Sequence, residues 1–423
     1  MGFFDIFKKK KKAEAPKEEK KCETKTAAPA AAPAEEKKCA CSCEKKEAAP
    51  AAAPAPASAT DPVYLPAADL GELLPGAPPN GKINLAIYWA AACGGCDVSI
   101  LDTDERILTV GDMANIVMWP IAADGKEHDI AHMEDGSITV SIISGAVRNS
   151  ENQAMVELLR KKSQIVVAYG SCACFGGTPS LANLVAGGSK EILDYVYTQT
   201  PTSAAFQKDC GHADAPVIPQ TSFQAPEGEL TLPTVYDHVF CLDEIIDVDY
   251  YVPGCPPQLE TITQLLAAVK AFLYEGVALP PKGAVVGVST TTLCDQCPRH
   301  KEYKRLTDIK EPYQVNVDPD ACLMDQGILC LGPATIGGCN ARCTKAGQPC
   351  RGCYGPTEFV QEHGASALTA VASLFPILDN DGIIKEDTIE DIMSVIKDPL
   401  GYFYAFTMGK ALIKTAVKEK GGQ

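Results

Sequence analysis

The stretch KINLAIYWAAACGGCD, residues 82–97, decides the fold predicted for this 423-residue chain. Its first part, KINLAIYWA, is an apolar run of strand length that follows the turn-forming segment GAPPNG at residues 76–81. Such a run, bounded by Gly and Pro, predicts a buried β-strand. A pair of cysteines, Cys93 and Cys96, comes directly after it. The sequence therefore predicts a strand whose carboxyl end carries two thiols.

Further strands and helices alternate along the chain after this strand. The pattern predicts strands at residues 115–119, 137–144, 164–169 and 247–252, and helices at residues 150–162 and 259–274. We expect Ser150 to be the N-cap of the first of these helices. Strands that alternate with helices indicate βαβ units, and these units build a parallel sheet covered by helices on both faces. The predicted fold class is therefore α/β, with a doubly wound parallel sheet.

Three loops that contain cysteine each follow a predicted strand: WAAACGGCD, YGSCACFGG and YVPGCPP. The carboxyl ends of parallel strands meet at one edge of the sheet, where ligands of such folds bind. We therefore expect Cys93, Cys96, Cys172 and Cys255 to converge. Cys174 is the alternative to Cys172, which we prefer because it lies closer to the strand end. Four thiolates at one point fit a [4Fe-4S] cluster or a zinc ion.

A second set of eight cysteines lies in a segment with little apolar periodicity. Grouping by position predicts two further sites of four: Cys294, Cys297, Cys322 and Cys330, then Cys339, Cys343, Cys350 and Cys353. We expect metal binding to contribute to the folding of this segment. Zinc and disulfide bonds are the alternatives, since CxxC pairs suit zinc as well as iron. Three sites in a row favour a conductor of electrons over three structural zinc ions.

The remaining chemistry-bearing residues give weaker signals. Cys210 and Cys241 are not at ligand spacing, and we interpret them as plain thiols. The six histidines are scattered, and we expect surface or hydrogen-bonding roles for them. Asp97 follows the first cysteine pair, where it could tune a cluster or serve a proton path, or could be an acid at a helix N-terminus. Both interpretations of Asp97 stay open at this point.

Composition excludes several classes of protein. The net charge is −16, which leaves no basic face for a nucleic-acid backbone, so we expect no nucleic-acid partner. The chain contains no run of eighteen apolar residues that could form a membrane-spanning helix. The beginning of the chain shows no secretory signal, and we expect a cytoplasmic protein.

The first 60 residues consist almost entirely of Ala, Pro, Lys, Glu and Cys. Such a segment cannot bury a core and is predicted to be disordered. It carries 13 lysines against 9 acids, so peripheral contact with an anionic membrane is possible in principle, although a solvated basic end is the simpler interpretation. Its cysteines are Cys22, Cys39, Cys41 and Cys43, for which we expect no fixed metal site.

The predicted domain organisation has five parts. They are a disordered tail at residues 1–60, a linker at 61–81, a sheet domain with the first thiol group at 82–280, a loop-rich domain with two thiol groups at 281–360, and a C-terminal helical segment at 361–423.

Five motifs together resemble the small subunit of [NiFe] hydrogenases, in particular the cytoplasmic, methyl-viologen-reducing branch linked to heterodisulfide reductase. The motifs are YWAAACGGCDVSILD, SGAVRNSENQAMVELLRKKS, YGSCACFGGTPSLANL, VDYYVPGCPP, and the run from CDQCPRHK through CLMDQGILCLGPATIGGCNARC to CRGCYGP. They span residues 82–360. The resemblance implies a flavodoxin-like domain and three [4Fe-4S] clusters in a chain that is not catalytic alone.

The resemblance also implies residue roles and partners. The first group, Cys93, Cys96, Cys172 and Cys255, would hold a proximal cluster facing the nickel–iron site of a separate large subunit. The group from Cys294 to Cys330 would hold the distal cluster, and the group from Cys339 to Cys353 the medial one. Electrons from H2 would pass to an acceptor, with an iron–sulfur adaptor subunit and a heterodisulfide-reductase-like complex as expected partners.

The sequence differs from relatives at three points. Cys294 stands where periplasmic members have a histidine, Asp97 stands where the cytoplasmic branch usually has a glutamate, and the tail is not part of the family pattern. The alternative function is the cluster-bearing coupling subunit of a complex I-type oxidoreductase, which would need only the first group. A hydrogenase partner with an added ferredoxin domain is disfavoured because the sequence lacks a CxxCxxCxxxC run. A zinc-binding scaffold is a further alternative, which colour would test, since zinc proteins are colourless and iron–sulfur proteins are brown.

Overall fold

The computed structural model describes residues 77–375 and 396–413, apart from residues 213, 303, 305, 307 and 359. The predicted tail, most of the predicted linker and the four tail cysteines lie outside the described residues. Within the described ranges, no helix is both long and apolar enough to cross a bilayer.

A five-stranded parallel sheet forms the centre of the N-terminal half. Its strands are β1 (Ile83–Trp89), β2 (Ala114–Met118), β3 (Ile138–Ser144), β5 (Ser163–Tyr169) and β9 (Tyr250–Val252). They lie in the order β2-β1-β3-β5-β9, and every neighbouring pair is parallel. When only these five strands are counted, the order is 2-1-3-4-5, the flavodoxin-like order of doubly wound sheets. The predicted α/β class is thus confirmed.

Helices and shorter strands complete this half. The helices are α1 (Gly95–Leu101), α2 (Ile107–Met113), α3 (Glu127–His132), α4 (Ser150–Lys162), α5 (Ser171–Phe175), α6 (Gly188–Asp194), α7 (Pro201–Asp209) and α8 (Leu259–Lys270). Two antiparallel pairs lie outside the main sheet: β4 (Val147–Asn149) with β8 (Val235–Phe240), and β6 (Ser222–Ala225) with β7 (Gly228–Thr231). The sequence patterns did not predict these four short strands.

Alternation along the strands separates two apolar cores. In β1, Leu85 and Ile87 belong to the core that includes Ile262 of α8, whereas Ala86 belongs to the core that includes Val156 of α4. Neighbouring residues of a strand point to opposite faces. Both faces of the sheet are therefore covered, as the continuous apolar run at residues 82–90 predicts.

Several boundaries differ from the sequence predictions by one residue or more, and two differences have a local cause. The helix predicted at residues 150–162 is present, but its N-cap is Asn149, whose side chain accepts a hydrogen bond from the N–H of Asn152. Our assignment of Ser150 as N-cap is wrong because Ser150 already has helical geometry as the first residue of α4. The last strand covers only residues 250–252. Before it, the N–H of Asp249 bonds to the carbonyl of Val166 in β5, but the N–H of Val166 bonds to the side-chain carboxylate of Asp249 and not to a backbone carbonyl.

After residue 283, the α-helices in the described part of the chain are α9 (Leu293–Gln296), α10 (Arg342–Lys345), α11 (His363–Ala372) and α12 (Pro399–Phe403). A third apolar core joins Leu331 and Tyr354 of the loops to Val371 of α11 and Phe403 of α12. The helices at the end of the described chain thus pack on the loop-rich segment. The domain boundary expected at residues 280/281 remains a prediction.

A buried carboxylate ties the sheet to the start of this segment. Asp249 is 4% exposed and accepts hydrogen bonds from Arg160 of α4 at 2.7 Å, from Lys282 at 2.5 Å and from the N–H of Val166 at 2.8 Å. Burial acts to raise the pKa of Asp249, but these donors outweigh it and hold the pKa below its usual value. The carboxylate is therefore charged at neutral pH and fully engaged.

Replacing Asp249 should weaken this junction. Asp249→Asn removes the charge that pairs with Arg160 and Lys282, and we expect the free energy of unfolding at pH 7 to fall by about 1–3 kcal/mol. Urea unfolding of the anaerobically purified chain measures the change. Asp247→Asn is the matched control, since Asp247 is exposed and is engaged through its backbone carbonyl. Equal stability of the two variants would contradict the assignment.

Candidate metal centre

Three strand ends bring four thiols together at the carboxyl edge of the sheet. Cys93 and Cys96 follow β1, Cys172 follows β5, and Cys255 follows β9. The thiol of Cys96 interacts electrostatically with those of Cys172, Cys255 and Cys93. The structure thus brings together the four cysteines predicted to converge, which we call the first thiol group.

Glycine makes this close approach possible at two positions. A Cβ on Gly170, whose φ is +85°, would overlap the sulfur of Cys96. A Cβ on Gly177, whose φ is +55°, would lie 2.5 Å from the sulfur of Cys172. Any other residue would combine the strain of a positive φ with a collision against sulfur. The loop after β5 therefore forms a cradle for the thiols.

Backbone N–H groups point at the sulfurs of this group. The N–H of Gly95 lies 3.4 Å from the sulfur of Cys93, and the N–H of Thr178 bonds to the sulfur of Cys172. Such donors stabilise negative charge on metal-bound sulfur. The sequence showed glycines here but did not show which N–H groups would face sulfur.

The thiols are held in an environment that disfavours bare thiolates. Burial, and then the neighbouring thiols of Cys255 and Cys93, together raise the pKa of Cys172 to about 12. Burial, and then the thiol of Cys93, also raises the pKa of Cys255. Buried anions need a compensating positive charge. A metal cation bound by the thiolates would supply that charge, so the donor set fits a metal group.

Cys174 points away from this group. It is 1% exposed, and its sulfur lies 3.4 Å from the carbonyl oxygen of Ala168. Burial and the carboxylate of Asp243 raise its pKa. This geometry supports Cys172 as the ligand and leaves Cys174 as a core thiol.

Asp97 is buried beside the first group at 1% exposed. Its two carboxylate oxygens accept hydrogen bonds from the indole N–H of Trp119 and from the hydroxyl of Ser144, each at 3.1 Å. Burial raises its pKa, and these two donors act against that rise. Asp97 therefore ties α1 to the ends of β2 and β3, a structural role that neither sequence interpretation included.

The second thiol group consists of Cys294, Cys297, Cys322 and Cys330. The thiol of Cys294, carried by α9, interacts with the other three thiols. Burial raises the pKa of Cys330 to about 11, although N–H groups of Gly332 and Cys350 that bond to its sulfur act in the opposite direction. These are the same four cysteines that we grouped into one site by their positions in the sequence.

The third thiol group consists of Cys339, Cys343, Cys350 and Cys353. The thiol of Cys353 interacts with those of Cys339 and Cys343, and the thiol of Cys350 interacts with that of Cys353. N–H groups of Ala341 and Arg342 bond to the sulfur of Cys339. Ala341 reaches this position with a φ of +52°.

Backbone hydrogen bonds join the three groups in sequence. The N–H of Cys255, in the first group, bonds to the sulfur of Cys353 in the third. The N–H of Cys350, also in the third group, lies 3.3 Å from the sulfur of Cys330 in the second. The third group therefore lies between the other two and contacts both.

Among the described residues, no group of three Cys, His, Asp or Glu side chains is arranged to hold a single metal ion.

Other candidate residues lie elsewhere. Cys210 is exposed on the segment after α7, and Cys241 is buried. His363 is buried at 4% exposed, with its ring between two threonines, so its role is hydrogen bonding and not surface exposure. The converging thiols and the N–H donors at their sulfurs fit the binding of redox metal groups.

Comparison with known proteins gives one family profile and several relatives. Residues 93–269 match the family described as NADH ubiquinone oxidoreductase, 20 Kd subunit. The chain is 37% identical to the iron-sulfur subunit of the F420-non-reducing hydrogenase of Archaeoglobus profundus, over 69% of this chain and 88% of that protein. It is 33% identical to an F420-non-reducing hydrogenase subunit of Methanothermobacter marburgensis, over 80% of this chain and 99% of that protein.

Among solved structures, an NAD+-reducing [NiFe]-hydrogenase in its H2-reduced state is similar to this chain. The alignment covers 47% of this chain and 97% of that chain, with 28% identity and a TM-score of 0.37.

The choice between Cys172 and Cys174 is directly testable. Cys172→Ala should lower the iron content of the chain, since it removes a thiol of the first group. Cys174→Ala should leave the iron content unchanged, because its sulfur faces a carbonyl of the core. Iron per chain, measured on anaerobically purified protein, decides the matter. Loss of iron from the Cys174 variant alone would reverse the assignment.

The glycine cradle gives a second test. Gly170→Ala places a methyl group against the sulfur of Cys96, and we expect the chain to bind less iron. Gly81→Ala is the matched control, because Gly81 has the same φ of +85° and has no atom within 4 Å of the added Cβ. Full iron in Gly170→Ala would show that the cradle is not needed, and the same loss of iron in both variants would show that backbone strain alone causes it.

Proposed function

We propose that this chain, which belongs to the family of F420-non-reducing hydrogenase iron–sulfur subunits, is the electron-transfer small subunit of a [NiFe] hydrogenase. The proposal follows from a single observation, the line of three thiol groups joined by backbone hydrogen bonds to sulfur. A line of redox sites suits the passage of single electrons over a distance greater than one site can span.

The twelve cysteines of the three groups would hold three [4Fe-4S] clusters. We assign the first group to the proximal cluster, the third to the medial cluster and the second to the distal cluster. When bound, these clusters would supply one-electron redox chemistry, which no amino-acid side chain of the groups provides alone. The contribution of the chain is to fix the thiolates, to bury five of the twelve and to direct N–H groups at their sulfurs.

The contacts between groups support this order. Cys353 touches the first group through the N–H of Cys255, and Cys350 touches the second group through its own N–H to Cys330. Cys350 and Cys353 are separated by only two residues; Cys350 is buried and Cys353 is half-buried. The third group is therefore placed to receive electrons from one side and pass them on at the other.

The first group lies next to an exposed apolar surface. Cys93 is exposed, and so are Trp89 at the end of β1 and, three residues apart on α1, Val98 and Leu101, which are 40%, 53% and 42% exposed. The indole of Trp89 packs on Gly94, and its N–H bonds to the carbonyl of Ala92 at 2.9 Å. An ordered apolar patch beside a metal group is a suitable docking surface. We propose that the large subunit, which would split H2 at nickel and iron, binds here.

Partners beyond the large subunit follow from the family alone. We propose that electrons leave through an iron–sulfur adaptor subunit to a heterodisulfide-reductase-type complex, and that the assembly is cytoplasmic. Peripheral membrane contact through the tail at residues 1–60 would be an additional property, and it falls outside the described residues.

A second function is favoured by one observation. The family profile of the NADH ubiquinone oxidoreductase 20 Kd subunit covers residues 93–269, which contain the first thiol group but not the other two. A coupling subunit of a complex I-type oxidoreductase would therefore share the sheet domain. The eight later cysteines count against it, since such a subunit would use only the first group.

Interrupting the third group tests the proposed route. In the complex with the large subunit, Cys339→Ala combined with Cys343→Ala removes two ligands of the middle site, and we expect H2 to reduce the first site but no longer the second. Electron paramagnetic resonance of the H2-treated complex, with and without dithionite, distinguishes the sites.

Cys210→Ala is the control for the loss of a thiol, because Cys210 is exposed and far in sequence from all three groups. Full reduction of the second site by H2 in the double variant would mean that electrons bypass the third group, and the proposed order would be wrong.

A further inference from the structure

A buried hydroxyl lies beside one thiol of the third group. Thr335 is 1% exposed and Cys350 is 5% exposed. The oxygen of Thr335 lies 3.7 Å from the sulfur of Cys350 and 2.6 Å from the carbonyl oxygen of Leu331, to which the hydroxyl donates. In the thiol form, Cys350 donates to the threonine oxygen.

Metal binding would reverse the direction of the bond to sulfur. A metal-bound cysteine has lost its thiol hydrogen, so its sulfur can only accept. The carbonyl of Leu331 also receives the N–H of Ala334 at 3.2 Å. The hydroxyl of Thr335 can therefore turn to the sulfur of Cys350 without leaving that carbonyl unpaired.

A histidine holds the threonine in place. The Nε2 atom of His363 lies 3.4 Å from the oxygen of Thr335, and its Nδ1 atom lies 3.3 Å from the oxygen of Thr407. Burial lowers the pKa of His363 to about 4, so the ring is neutral at pH 7. A neutral imidazole donates from one nitrogen and accepts at the other. Thr335 donates its single hydroxyl hydrogen to the carbonyl of Leu331 or to the sulfur of Cys350, so it can only accept from the histidine. The Nε2–H of His363 therefore donates to Thr335, and its Nδ1 accepts from Thr407.

The histidine ring itself has little freedom. A Cβ on Gly352 would lie 2.5 Å from the Cε1 atom of His363, so the ring packs directly on the glycine between the two last ligands. The N–H of Gly352 lies 3.4 Å from the sulfur of Cys350. Two donors, one from the backbone and one from a clamped side chain, are therefore available to the same sulfur.

We propose that Thr335, held by His363, is a positioning residue that donates its hydroxyl to the sulfur of Cys350 and raises the reduction potential of the middle site. Hydrogen bonds to ligand sulfur stabilise the more reduced, more negative state of a cluster. The inference rests on the proposed function, because it requires a redox cluster at the third group.

The position of Cys350 makes the hydrogen bond from Thr335 significant for the proposed path of electrons. Cys350 is the residue of the third group that contacts Cys330 in the second group. A hydrogen bond at this sulfur therefore acts at the junction through which electrons would leave the middle site.

Two substitutions of Thr335 in the assembled complex test the proposal. Thr335→Val removes the hydroxyl and preserves the shape, so we expect the midpoint potential of one of the three sites to fall while the other two stay unchanged. A tenfold shift in its oxidised-to-reduced ratio at fixed potential corresponds to about 59 mV for one electron. Thr335→Ser retains the hydroxyl and should restore the potential. A redox titration followed by electron paramagnetic resonance measures all three sites.

A measurement on the unaltered protein covers the case in which Thr335→Val does not assemble. A cavity of about 360 Å³, lined in part by His363 and Thr407, lies next to this network, so hydroxyl hydrogens can exchange with solvent. Electron–nuclear double resonance after brief transfer to D2O should show a strongly coupled, exchanging proton at the middle site. The buried N–H of Gly352 should exchange more slowly.

The outcomes separate this inference from the proposed function. Two results would overturn the role of Thr335 and leave the electron route intact. One is full iron content with unchanged potentials in Thr335→Val, and the other is the absence of an exchanging proton in the unaltered protein. Absence of a redox-active cluster at the third group of the unaltered protein overturns both.

Discussion

The close approach of thiols at the carboxyl edge of a parallel sheet is the constraint on which the rest of the structure depends. Buried thiols repel one another once ionised, and they can be brought together only by a rigid frame and a compensating cation. The sheet provides the frame, since β1, β5 and β9 are parallel strands of one sheet and end at the same edge. Gly170 and Gly177 remove the atoms that would otherwise fill the space needed by sulfur.

The loop-rich segment also brings thiols close together, but without a sheet. Its apolar core includes buried cysteines of the second and third groups and joins them to α11 and α12. Short helical turns, such as α9 and α10, each carry one thiol, and N–H groups of neighbouring residues point at sulfur. With so little regular structure, the loops would depend on bound metal for part of their folding free energy. Their placement between the sheet edge and the last helices positions the third group against the first.

Particular residues show how far the sequence could predict this arrangement. The run at residues 82–90 and the alternation that follows it are enough for the α/β class, because burial on both faces leaves a continuous apolar signature. The convergence of Cys93, Cys96, Cys172 and Cys255 follows from the same argument, since parallel strands share an edge. The hydrogen-bond partners of Asp97 and His363 could not be predicted, because Trp119, Ser144, Thr335 and Thr407 come from other parts of the chain. Of the four strands outside the main sheet, β4, β6 and β7 have only three or four residues, which carry too little periodicity to be recognised.

The central claim is that this chain carries a line of iron–sulfur sites in partnership with a nickel–iron subunit. The most direct measurement is elemental analysis of the native complex, captured anaerobically through this chain, with the subunits then separated. The account predicts about twelve irons on this chain, from three four-iron clusters, and nickel on the co-purifying large subunit. Zinc in place of iron, or about four irons and no nickel, would contradict it.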